Sequence, residues 1–253
     1  MAPAAFPDTP APAAAPLAAH TTDDTTPTPG RIALLAGATG LIGSTLCSQL
    51  PQDPRFERVI VLSRRPLSLQ HPRLQVAEID FSRLDDWTPD FQIDTIFCAL
   101  GTTMAKAGSQ AAFRAVDHDL VLTLGRLAQR ARCQHFIFVS SAGARVDTNN
   151  FYLRTKGETE DALRDLGLPH LVAMRPSVLD GERQEARKAE EMALRAGRLL
   201  RPLLIGPLER FRPTPVELVA TAMRDLAQPG REGFEVVDAV TIGRWHERIR
   251  LGA

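Results

Sequence analysis

Three glycines, Gly37, Gly40 and Gly43, follow a short apolar run at a spacing of three, in Arg31-Ile-Ala-Leu-Leu-Ala-Gly-Ala-Thr-Gly-Leu-Ile-Gly43. A helical pattern, Leu41 to Leu50, begins inside the triplet. This layout restricts the chain to a strand that turns sharply into a helix. Gly37 permits the turn off the strand, Gly40 lets backbone approach a ligand closely, and Gly43 lets the helix pack against the sheet. The N–H groups of a helix start have no intrahelical acceptor and carry partial positive charge, so the turn forms a cradle for a pyrophosphate.

Further apolar strands follow, separated by helical segments. The pattern predicts strands at Ile32–Ala36, Arg58–Leu62, Leu74–Ile79, Asp94–Leu100, His135–Val139 and His170–Met174. Helices are expected over Leu41–Leu50, Gln110–Arg132 and Phe151–Leu166, the last closed by Gly167-Leu-Pro169. Continuous apolar strands alternating with helices point to an α/β fold of the Rossmann type, a doubly wound parallel sheet covered on both faces. Past Pro176 the pattern changes. Residues 182–191 form a charged run, either a solvated helix face or a lid. Ala189–Leu200 reads as a helix, Thr214–Leu226 as another with Thr214 as N-cap and Pro215 at its first position, and Phe234–Val237 as a short strand. The expected organisation is a single dinucleotide-binding domain over 30–253, with 180–253 supplying a small helical cap on the substrate side. Residues 1–29, rich in Ala, Pro and Thr and without Lys or Arg, read as a disordered tail.

Composition excludes several classes. The 30 basic and 30 acidic residues cancel, so the total implies no nucleic-acid partner. Trp87 and Trp245 have no aromatic neighbours that would make a base-stacking platform. The six histidines show no metal-ligand spacing, and no apolar stretch is long enough to span a membrane. Cys47, Cys98 and Cys133 lie far apart and read as buried apolar residues in a reducing compartment. No targeting segment is recognisable, so a cytoplasmic location is expected.

The segment after the second strand selects between dinucleotides. A site preferring NAD(H) places a carboxylate about 20 residues beyond the glycines, on the ribose 2′-hydroxyl. This chain has Ser63-Arg64-Arg65-Pro66 instead. Guanidinium groups would grip a 2′-phosphate, so NADP(H) is the expected cofactor, by about one or two powers of ten after solvent screening. Asp80 and Phe81, after the third strand, could bracket the adenine.

Chemistry-bearing side chains gather around the fifth strand. It ends in Ser140-Ser141, and the next helix carries Tyr152 and Lys156 at i and i+4, on one face. Tyr152 is the only tyrosine of the chain. An ammonium and an oxidised nicotinamide beside a phenol both favour its ionised form, which suits it to exchange a proton with a carbinol oxygen while a hydride moves. Lys156 would also hold the ribose hydroxyls, and Ser141 would orient the carbonyl. Lys106 could reach a phosphate or simply be a surface charge. Arg175 could face substrate or be an ion-pair partner.

The glycine triplet and the Tyr-x-x-x-Lys pair resemble the short-chain dehydrogenase/reductase superfamily in its extended or atypical form. More narrowly, the chain is similar to the Tat-interacting-protein family. The segments that carry this are Phe97-Cys-Ala-Leu-Gly-Thr-Thr-Met-Ala-Lys-Ala-Gly108, Val139-Ser-Ser-Ala-Gly143, Tyr152-Leu-Arg-Thr-Lys-Gly-Glu158 and Arg175-Pro-Ser-Val-Leu179. The resemblance implies a Ser141–Tyr152–Lys156 site for a small carbonyl or alcohol substrate. It implies cofactor contacts at Thr39, Leu41, Ile42, the loop Ala99, Leu100, Gly101 and Thr102, at Ser140, and at Pro176 and Val178 near the nicotinamide. It makes a homodimer an expectation. Extended members often carry Asn in the fourth helix, where it organises a relay water, and Asp117 stands at that place here. Two other functions fit the same motifs: a regulatory or scaffold protein that binds NADPH without turnover, and a sugar-nucleotide epimerase.

Overall fold

Strands β1 (Arg31–Ala36), β2 (Phe56–Ser63), β3 (Leu74–Glu78), β4 (Thr95–Cys98), β5 (His135–Val139) and β6 (His170–Arg175) form where the apolar runs predict them. The fourth is shorter than expected. Asp94 lies outside it and accepts the Ile32 N–H at 2.7 Å, while Ala99 and Leu100 open the loop that follows. The computed structural model describes residues 30–180 and 212–250, the last three by backbone alone. The tail 1–29, the expected helix Ala189–Leu200 and the charged run 182–191 lie outside the described residues.

Two further strands pair with each other, β7 (Leu179–Asp180) and β8 (Thr214–Pro215). The last strand, β9 (Gly233–Asp238), joins the main sheet. That sheet has seven strands in the order β3-β2-β1-β4-β5-β6-β9, all pairs parallel. The order reverses between β1 and β4, which opens a crevice at the carboxyl ends of those two strands, the place where open α/β sheets bind ligands.

Alternate residues of each strand face opposite layers. Ala33, Leu35, Val59, Val61, Phe97, Ile137, Val172 and Met174 share one core with α1 (Leu41–Gln49) and α6 (Val216–Leu226). Ile32, Leu34, Ile60, Leu62, Ile96, Phe136, Phe138 and Leu171 share the other with α4 (Leu120–Arg130) and Leu163 of α5 (Phe151–Arg164). Burial on both faces is why these strands read as unbroken apolar runs. Short helices α2 (Met104–Ala107), α3 (Gln110–Arg114), α7 (Ala239–Gly243) and α8 (Trp245–Arg250) complete the described α-helices.

Three expectations are corrected. The helix expected over Gln110–Arg132 is interrupted by a π-helical turn at Ala115–Asp119, whose widened ring is held by the Thr159 hydroxyl donating to the Asp117 carbonyl at 3.0 Å. Thr214 and Pro215 do not begin a helix. They pair with Leu179 and Asp180, and α6 starts at Val216. Residues 214–250, expected to belong to a cap, contribute α6 to the core beneath the sheet and β9 to its edge.

Candidate active site

The cradle at the end of β1 is built by close backbone approach. Gly37 has φ +95°, and a Cβ there would lie 2.4 Å from the Ala99 carbonyl oxygen. A Cβ on Gly43 would lie 2.0 Å from the Gly37 carbonyl oxygen. Neither position can carry a side chain without moving backbone. A Cβ on Gly40 would meet nothing nearer than 3.4 Å. Protein packing therefore does not demand glycine at position 40, whereas a phosphate lying on the helix start would. No side chain caps α1, and its first turn, including Leu41, Ile42 and Gly43, points N–H groups outward beside Thr39. These residues fit the diphosphate of a dinucleotide.

Arg64 and Arg65 follow β2 and are exposed. Among the described residues neither is in an ion pair, and the Ser63 hydroxyl fixes the turn by donating to the Arg65 carbonyl at 2.7 Å. Both guanidinium groups are thus open to an anion. Asp80 caps the 3₁₀ turn Phe81–Arg83. Its Oδ1 accepts from the Ser82 N–H at 2.9 Å and the Ser82 hydroxyl at 2.7 Å, and these bonds hold its carboxyl below the ordinary range. One oxygen is therefore committed to the turn. Phe81 packs on the core beside α4.

At the carboxyl end of β5 the two serines part. The Ser140 hydroxyl is buried and donates to Glu160, which also binds Arg175. That hydroxyl is turned into the protein, so Ser140 can serve a cofactor only through its backbone, and Arg175 is an ion-pair partner. Ser141 is half-buried, and among the described residues its hydroxyl makes only a long bond to the Ala142 carbonyl, 3.4 Å. The Ala142 N–H donates to the Pro176 carbonyl at 2.9 Å, which ties the loop after β5 to the one after β6. In that second loop Pro176 is buried and Val178 is 62% exposed.

Asn150 caps α5 by accepting the Leu153 N–H at 3.1 Å, so Tyr152 and Lys156 occupy its first two turns. Tyr152 is half-buried against Phe113, ring centroids 5.5 Å apart. Lys156 is 4% exposed, and its ammonium donates to the Val139 carbonyl at 3.2 Å and meets Asp117 Oδ1 at 2.7 Å. Burial by itself would lower the lysine pKa. The Asp117 carboxylate and Tyr152 outweigh it and raise the pKa above its ordinary value. Asp117 is 1% exposed, and its other oxygen accepts the Thr102 N–H at 2.8 Å.

The structure thus gathers Ser141, Tyr152, Lys156 and the loop Ala99–Thr102 at one sheet edge. Asp117, at the place where extended members often carry Asn, pairs with Lys156 itself. Two members of the cluster were not anticipated. Glu160 gathers Ser140 and Arg175. Gly157, where a Cβ would lie 2.5 Å from the Arg145 backbone, lets α5 press on the loop after β5. Its place directly after Lys156 was the only sequence signal, and Glu160 gave none. Among the described residues no group of three or more His, Cys, Asp or Glu could hold a metal, and no helix is long and apolar enough to cross a membrane.

Residues 37–197 match the NAD(P)H-binding family. The protein HTATIP2 of Rattus norvegicus is 37% identical over 163 residues, 63% of this chain and 67% of the relative. The mitochondrial protein fmp52 of Emericella nidulans is 34% identical over 166 residues, 63% of this chain and 71% of the relative. Among solved structures, MoeE5 in complex with UDP-glucuronic acid and NAD is similar with TM-score 0.62 and 21% identity, covering 82% of this chain and 75% of that one. ElxO with NADP bound has TM-score 0.59 and 13% identity, covering 84% and 99%. At such identities the structures share the fold alone. The relatives overturn the expected cytoplasmic location: FMP52 proteins from E. nidulans and five further fungi are named mitochondrial.

Proposed function

Because the chain belongs to the NAD(P)H-binding family, among the atypical short-chain dehydrogenase/reductase proteins that include HTATIP2 and FMP52, we propose that it is an NADP(H)-dependent oxidoreductase with Tyr152 as its acid/base. The observation that carries the reading is the chain's single phenol one helical turn from a buried, pinned lysine, on the sheet edge that holds the glycine cradle. Bound nicotinamide would supply or accept the hydride.

The chain's own residues do the rest. Gly37, Gly40, Gly43 and the N–H groups from Leu41 to Gly43 receive the diphosphate, with Thr39 beside them. Arg64 and Arg65 meet the 2′-phosphate, and Phe81 with the free oxygen of Asp80 borders the adenine. Lys156 has three N–H groups. Two are used inside the protein, and the third remains for a ribose hydroxyl. The backbone of Ala99, Leu100, Gly101 and Thr102, of Ser140, and of Pro176 with Val178 lines the nicotinamide end. Ser141 donates to the substrate oxygen, and Tyr152 passes a proton to or from that oxygen.

The test is stereospecific hydride exchange from labelled NADPH across a panel of carbonyl compounds. Exchange in the parent chain, its loss in Tyr152→Phe and NADPH affinity retained by that variant are expected. Silence across the panel, together with NADPH binding and a partner captured only with NADPH present, would replace the enzyme by a cofactor-sensing protein.

A further inference from the structure

The Lys156 ammonium is shared between two acidic groups of opposite consequence. One is the Tyr152 phenol, whose ionisation a free lysine charge would promote. The other is the Asp117 carboxylate, which lies 2.7 Å from Nζ and already neutralises it. Both members of this pair are almost wholly buried, where a Coulomb interaction is screened far less than at a surface. We propose that Asp117 is a positioning residue that cancels much of the Lys156 charge felt by Tyr152 and thereby sets the site for carbonyl reduction rather than alcohol oxidation. The inference rests on the oxidoreductase reading for its direction of reaction, and on geometry alone for its coupling.

The chemistry separates the two directions. In reduction the phenol gives its proton to the carbonyl oxygen as the carbonyl carbon gains a hydride, with its electron pair, from a reduced nicotinamide dinucleotide. The phenolate left behind regains a proton from solvent. In oxidation the phenolate must exist first, to take the proton of the alcohol while the carbon gives up its hydride. An uncompensated lysine favours the second start and a compensated one the first.

Three elements bring ionisable groups to this cluster. The turn 115–119 brings Asp117. Strand β4 brings the Cys98 thiol, which burial pushes up to about 12, so it stays neutral. Helix α5 brings Tyr152 itself and Glu158, which is occupied by Arg114 and Arg154. Among the described residues no other carboxylate pairs with Lys156. The Thr102 N–H bond to the second oxygen of Asp117 fixes the carboxylate in the orientation that meets the ammonium. An Asn at this position could keep the Thr102 bond and lose the charge.

Tyr152 is the chain's only tyrosine, so tyrosinate absorbance of the cofactor-free protein reports one group. A stopped-flow pH jump reads it before alkaline unfolding. In Asp117→Asn the midpoint is expected to fall by about one pH unit, tenfold in the ionisation constant. In Lys156→Gln it is expected to rise, and the double variant should return to within a few tenths of a unit of the parent, about the additivity error. A midpoint in Asp117→Asn within about 0.2 unit of the parent overturns the inference. If that variant fails to fold, the double variant decides: a midpoint well below that of Lys156→Gln supports the effect of Asp117 on Tyr152, and the same midpoint as Lys156→Gln overturns it. Turnover without these shifts leaves the oxidoreductase reading standing and sinks the inference. Shifts without turnover sink that reading and keep the coupling.

Discussion

The same sheet carries a polar cluster at each end, and the two clusters use their hydrogen-bonding capacity in opposite ways. At the amino end, where β5 and β6 begin, His135 and His170 meet through their Nδ1 atoms at 2.9 Å, and His170 Nε2 lies 3.8 Å from Glu235. Beside them Arg31 donates to the Ala227 carbonyl at 2.7 Å and to Thr95 at 2.9 Å. These side chains spend their capacity inside the protein. At the carboxyl end capacity is left over among the described residues: the first N–H groups of α1 have no side-chain cap, and the exposed guanidinium groups of Arg64 and Arg65 are in no ion pair. Burial satisfied from within contributes stability. Donors held in place yet left unsatisfied wait for a ligand.

The largest effect that would test this contrast is at the cradle. Gly43→Ala forces a Cβ against the Gly37 carbonyl, so NADPH binding should disappear in calorimetry. Tm should fall by about 10 °C, as several kcal/mol of overpacking implies. Unchanged binding would mean the helix start is not the phosphate site.

The amino end should respond to pH. Burial first, then the Arg31 and His170 charges, lower the His135 pKa from 6.5 to about 4. The unfolded chain therefore takes up a proton between these values while the folded one does not. Stability contributed by the neutral ring is complete above pH 6.5 and is lost as pH falls toward 4, up to about 3 kcal/mol. Urea unfolding at pH 7.5 and 5 should show the slope, and His135→Gln should flatten it. NADPH affinity normalised to the folded fraction should not change with that substitution.

Arg64→Ala/Arg65→Ala should do the reverse. It should weaken NADPH by roughly ten- to a hundredfold, leave NADH affinity unaltered and leave Tm where it was, because exposed charges contribute little to the fold. Equal losses for both dinucleotides would remove the 2′-phosphate assignment. Asp80→Ala should be smallest, weakening NADPH less than about threefold, since its Oδ1 serves the turn at Ser82.

Legibility followed locality. The glycine spacing, the apolar runs of β1, β2, β5 and β6, and the Tyr152–Lys156 pair are determined within a few residues, and the sequence shows them directly. Strand β9 was visible as four apolar-leaning residues, but its place beside β6 was not. Parallel pairing joins residues far apart in the chain and leaves no local trace. Ser140 and Ser141 look equivalent in sequence. Only Glu160, twenty positions on, distinguishes them by claiming the first. The π-helical turn was hidden because its residues have ordinary helical propensity, and the hydroxyl that holds it open comes from another helix.

By itself the sequence determined a doubly wound sheet, a glycine turn from strand into helix and a single phenol set one turn from a lysine. Those follow from backbone sterics and side-chain periodicity, which act over short range. Tertiary structure decided which charges meet: Asp117 on Lys156, Glu160 on Ser140 and Arg175, the two histidines on each other. Buried ionisable groups answer to neighbours within a few ångströms in space, wherever these lie along the chain, so their partners exist only once the fold has assembled them.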